Sequence, residues 1–315
     1  MEPLPWIDEA KLVEAHPQLF HYTSFEALKL ILGSGSLAAR PFTKTNDAVE
    51  GRALREAIVQ AMHDRGLKDI RGIFAEHNAE FIGTDEEFIE VCRQDAENCF
   101  DAIISANPSQ PYLTCFSTHR EQHHIENGLL TMWRVYGDNG HGVALGFDAE
   151  KLREITEQTQ KYRAVDIIYL DEVGYGAASA LVSKRMREFP SMTDLYMKAI
   201  AAVCCENKQV FLNAGADLMR FLILNLACKH PDFEDEREVR LVTMEALPDN
   251  VHGREPLKRL GDGRLLIKCL DALNEVIVGP SGRQDQQINR VVRLLGAYGR
   301  SEVEVRGTST PFRQL

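Results

Sequence analysis

The chain predicts an α+β fold built on a mixed, mostly antiparallel sheet. Three observations lead there. Strand-like segments lie near both ends and in the middle of the 315 residues. Helical segments separate them without the regular alternation of a parallel α/β protein. No internal repeat, low-complexity tract or linker divides the chain, so one domain over 1–315 is expected, with a mainly helical insertion at about 176–229.

Phe20-His21-Tyr22 reads as a short strand. Thr23 and Glu26 then have capping-box spacing, with Leu28, Ile31 and Leu32 on one helical face and Gly33-Ser34-Gly35 as the stop. Helical periodicity follows over about 48–64 and again over roughly 86–104. Asn107-Pro108 breaks the chain before an apolar strand at Tyr112–Ser117. The polar stretch 118–127 reads as a loop, 128–136 as a helix, and Gly137-Asp138-Asn139-Gly140 as a turn. Strands are expected at Gly142–Phe147 and Ala164–Leu170, with Asp148 capping the helix between them. Beyond the insertion come strands at Glu236–Thr243, Arg264–Cys269 and Glu275–Val278, a helix over about 285–298, and a last strand at Val303–Val305.

Composition narrows the function classes. The chain is 44% hydrophobic and 26% charged, as ordinary soluble globular proteins are. A net charge of −11 argues against a protein whose main business is gripping a phosphate backbone. Seven scattered cysteines without a CxxC fit reduced, buried thiols, and with no leader-like or membrane-spanning stretch the expectation is a cytoplasmic protein without a membrane partner. No GxxxxGK[ST] and no GxGxxG after a strand is present, which removes the common phosphate cradles.

The candidate chemistry lies in short strings. On a regular strand Glu236, Glu238 and Arg240 share one face, either as solvated ion pairs or as the floor of a polar cleft. His21 and Tyr22 point to opposite faces of theirs. Trp133 and Tyr136 lie at i, i+3, as a core anchor or as an aromatic wall. Ser117 ends a strand, but nothing around it resembles a hydrolase elbow. His119, His123 and His124 form HxxxHH, yet the segment has no apolar helical face and no HExxH, so no metal site is expected. Asn46, Asp47 and Glu50 read as an acidic helix start.

In order and spacing these strings resemble a widespread prokaryotic family known only as a domain of unknown function. The series runs from Phe20-His21-Tyr22-Thr23 through Met132-Trp133-Arg134-x-Tyr136-Gly137 to Lys229 and Glu236-x-Glu238-x-Arg240, over about residues 18–300. A more distant resemblance is to ADP-ribosyltransferases, which carry His or Arg on an early strand, Ser or Tyr on a middle one and Glu on a late one. Here His21, Ser117 or Tyr136, and Glu236 or Glu238 occur in that order, although no Ser-Thr-Ser string is present.

That resemblance implies cleavage of NAD and transfer of ADP-ribose to a macromolecular acceptor, protein or nucleic acid, in a toxin or phage-defence setting. Glu238 would hold the ribose and Glu236 would substitute for it or activate the acceptor. His21 would contact the second ribose, and Trp133 or Tyr136 would form the wall. Arg240 or Arg134 would meet the pyrophosphate, with Tyr22, Thr23 and Ser117 lining the NAD site. Two rivals are a non-catalytic nucleotide-binding or sensor protein, and a metal-dependent nuclease using Asp47, Glu50, Glu236 and Glu238.

Overall fold

The computed structural model describes residues 9–45, 83–88, 111–159, 162–166, 168–169, 228–229, 231–244 and 257–310, with single positions at 90, 94 and 226. The chain divides into two compact units. One comprises 1–6, 45–110 and 168–232, the other 7–44, 111–167 and 233–315. The expected helix over 48–64, most of that over 86–104 and nearly all of the expected insertion lie outside the described residues. In the first unit a helical stretch at 85–88 opens with a reciprocal cap: Glu87 Oε2 accepts from Thr84 N at 2.8 Å, and Thr84 Oγ1 accepts from Glu87 N at 3.2 Å. Ile168–Tyr169 and Cys228–Lys229 pair there as a short parallel ladder.

The second unit begins with α1 (Glu9–Ala15), β1 (Gln18–Thr23), α2 (Phe25–Ser34) and β2 (Ser36–Pro41). It continues with β3 (Pro111–Thr118), α3 (Gln122–Asn127), α4 (Leu130–Val135), β4 (Val143–Asp148), α5 (Ala149–Thr159) and β5 (Tyr162–Asp166). After a 3-10 turn at Pro231–Glu236 come β6 (Glu238–Met244), β7 (Leu265–Lys268), β8 (Leu273–Val278), α6 (Gln284–Ala297) and β9 (Glu304–Gly307). The nine strands form one open sheet. Its main path runs β9-β8-β4-β1-β3-β2-β7, while β6 pairs with β3 and β5 with β6. Every described pairing in it is antiparallel except β8–β9, which α6 joins as a crossover.

The fold is therefore the expected α+β class. Three local expectations change. The N-cap of α2 is Ser24, whose Oγ accepts from Ala27 N at 3.1 Å, so Thr23 stays in β1. Residues 122–127, read as loop, form α3, which is too short and too polar for periodicity to reveal. β6 starts at Glu238, because Glu236 closes the 3-10 turn and Arg237 has φ 46°. The expected stop of α2 holds, with Gly35 left-handed at φ 65°. So does the cap by Asp148, whose Oδ1 accepts from Lys151 N at 3.0 Å.

The two faces of the sheet are packed differently. One carries Leu19, Phe116, Leu145, Phe147, Val239 and Leu241, and joins apolar residues of α2, α5 and α6 in the main core. The other carries a smaller cluster of Phe20, Tyr22, Ala144 and Ile277 under Met132 and Trp133 of α4. Ser117, Glu238 and Arg240 lie on this second face. Among the described residues, no helix is long and apolar enough to cross a membrane.

Candidate functional site

β3 is the pivot of the site. β6 takes one of its edges from Pro111 to Ser117. The other edge is shared, with β1 pairing at Ser117 and Thr118 and β2 at Tyr112 and Leu113. Between these two pairings, at residues 114–116, the sheet forks. His21 sits at the fork, where its Nδ1 donates to the Cys115 carbonyl at 2.9 Å. Most of the ring is buried and Arg40 places a positive charge near it, so the imidazole titrates below its usual range, although the carbonyl bond opposes that shift.

Register decides which expected residues meet. Phe20 is opposite Ser117, and Ser117 is opposite Glu238. Antiparallel partners point the same way, so these three share a face, together with Cys115 and Arg240, which are also paired. His21 is opposite Leu145 and touches the edge of the Phe116 ring (centroids 5.9 Å apart), which puts it on the main-core side. His21 and Glu238 are thus near neighbours across three strands but do not share a face.

Glu238 and Arg240 form a buried bidentate pair: Nε to Oε1 is 2.8 Å and Nη2 to Oε2 is 3.1 Å, with the side chains 3% and 1% exposed. Their spacing of two along β6 produces this, as strand alternation predicts. Glu236 is reached differently, accepting from the Tyr136 hydroxyl at 2.9 Å. The turn at Arg237 separates the two carboxylates, so they are not successive members of one strand face.

Several expected ligand contacts prove to be packing residues. Trp133 is fully buried, with Nε1 donating to the Asn127 carbonyl, and presents no ring face to a ligand. Gly128 and Gly137 frame it, since an added Cβ would stand 2.7 Å from Nε1 at the first and 2.6 Å from Cε3 at the second. Tyr22 is buried and its hydroxyl accepts from Leu129 N at 2.7 Å. Thr23 is buried at the end of β1, whereas Arg134 is exposed on α4. Asn46, Asp47 and Glu50 lie outside the described residues.

His119 is the residue sequence reasoning overlooked. It does not converge with His123 and His124; it stacks on Phe20 (centroids 3.7 Å apart, planes 10° apart) and meets the Tyr22 hydroxyl through Nε2 at 2.8 Å. That hydroxyl also accepts from Leu129 N, so it ties the ring to the loop before α4. Burial, helped by the charges around His124, Arg306 and Arg237, pushes its pKa down to about 3, so the ring is neutral. His119 Nδ1 and Ser117 Oγ are both buried without a hydrogen-bond partner. Two orphaned polar groups on one face beside Glu238 are an unmet hydrogen-bonding demand.

Fold and site together define an α+β protein with a forked open sheet and a polar–aromatic patch at the fork. Residues 132–241 match the model of the family described as Protein of unknown function (DUF2971). This stretch holds the Met-Trp-Arg and Glu-x-Glu-x-Arg strings, so the resemblance to a domain of unknown function holds there. The description assigns no activity. No curated protein and no solved structure matches the chain.

Proposed function

We propose that the chain is an ADP-ribosyltransferase-like enzyme that binds NAD across the β3 fork and transfers ADP-ribose to a macromolecular acceptor in the cytoplasm, as a toxin or defence effector. One observation carries this reading: the strands bearing His21, Ser117 and Glu238 are direct neighbours, with Ser117 and Glu238 in register. In this reading NAD lies across the fork, with His21 on one face of the sheet and Glu238 on the other.

The chemistry follows from the groups present. When the nicotinamide–ribose bond breaks, the bonding electrons leave with nicotinamide and positive charge develops on the ribose. Glu238 accepts a hydrogen bond from a ribose hydroxyl and stabilises that charge. Ser117 supplies a hydroxyl to the nicotinamide end. With its proton on Nδ1, His21 offers Nε2 as an acceptor for the other ribose. Glu236, held by Tyr136, takes the proton of the attacking acceptor.

One observation favours a second reading, a nucleotide-binding protein without turnover: both carboxylates already have protein partners. A metal-dependent nuclease is less compatible with the site, because the Arg240 guanidinium stands where a cation at Glu238 would be. Thermal shift with NAD and chromatographic detection of nicotinamide, with and without cell extract, separate the readings. Stabilisation with nicotinamide release that Glu238→Gln abolishes supports the enzyme. Stabilisation without release supports the binding protein. Absence of both from folded protein removes NAD from the account.

A further inference from the structure

Glu121 precedes α3, and His123 and His124 lie in its first turn. One ligand atom from each falls within 4.8 Å of the others. Glu121 Oε2 is 3.0 Å from His124 Nδ1 and 3.5 Å from His123 Nε2. In a tetrahedral zinc site with bonds of about 2.0–2.1 Å, neighbouring donors stand roughly 3.3–3.4 Å apart, so these separations fit with small rotations. Arg237 Nη1 lies 3.1 Å from His124 Nδ1, the nitrogen that also faces Glu121 Oε2.

Arg237 is also the competitor. Its Nη2 is 3.1 Å from Glu121 Oε1, so one guanidinium holds two of the three donor groups. A dication cannot share them with a guanidinium at that range without strong repulsion. We propose that Glu121, His123 and His124 form a transition-metal site, best suited to zinc, that is filled only when Arg237 leaves. Two imidazoles and a carboxylate are a borderline donor set that suits zinc over magnesium or calcium, and three protein ligands leave the fourth position to water. The site is independent of the NAD reading, and its test uses no nucleotide.

The test is calorimetric titration of the full chain with zinc alone, repeated with cobalt while the visible d–d band of tetrahedral coordination is recorded. His123→Ala/His124→Ala weakens the site at least about a hundredfold and abolishes the band. Arg237→Asn, chosen because Asn tolerates the positive φ at this position, tightens binding by about tenfold. A titration that the double substitution leaves unchanged overturns the proposal, because zinc is then bound elsewhere, for example by cysteines. An Arg237→Asn protein that folds, by circular dichroism, and binds zinc no more tightly than the parent also overturns it. If Arg237→Asn does not fold, Arg237→Gly gives the same comparison.

Discussion

Arg240 grips both oxygens of Glu238 from two residues farther along the same strand, and almost none of either side chain is exposed. Such a pair is costly to break on one side and cheap to replace on both, because the main penalty is a buried charge left alone. Arg240→Met is expected to lower unfolding stability by about 3–5 kcal/mol in urea titrations. Glu238→Gln costs less, since the amide oxygen still accepts. Glu238→Leu with Arg240→Met recovers at least half of the loss. If the double variant is as unstable as the two single losses added together, the pair is not the coupled unit described.

The fold holds His21 neutral, with its pKa below the ordinary value of about 6.5. Between the folded and the unfolded value the unfolded chain binds more protons, so stability rises with pH through that window and falls as the solution is acidified below about 6.5. His21→Asn places an amide nitrogen near the position of Nδ1 and keeps the donor to Cys115. Melting temperature followed from pH 7 downward is expected to fall less steeply in this variant than in the parent.

Trp133 predicts a different kind of sensitivity. Trp133→Ala removes the largest fully buried side chain of α4 and costs about 3–5 kcal/mol. Gly137→Ala, which adds one carbon against the indole and its own backbone, costs about 1–3 kcal/mol. Both leave the Glu238–Arg240 pair untouched. A Gly137→Ala protein as stable as the parent in thermal melts contradicts the packing described.

The sequence was most informative where side-chain chemistry and local structure agree. β-branched and aromatic runs marked β3, β4, β6 and β8, and alternation put Glu238 and Arg240 on one face. β2 escaped notice because Ser-Leu-Ala-Ala-Arg-Pro has little strand propensity; it is held by pairing with β3 and β7. α3 is fixed from outside: Arg306 donates to the Ile125 and Glu126 carbonyls at its C-terminal end. Alternation failed for Glu236 because it assumes regular backbone, and the left-handed Arg237 breaks the count. That Phe20, rather than His21, is level with Ser117 is a matter of register, and register depends on partners distant in sequence.

The fork in β3 has a consequence for solubility. An open strand edge is a template on which another chain can add itself, and long flat ones invite aggregation. Here the stretch between the β1 and β2 pairings is three residues long, closed at both ends by strands of the same sheet, and its Cys115 carbonyl is bonded to His21. A strand from another chain finds few main-chain groups there to zip onto.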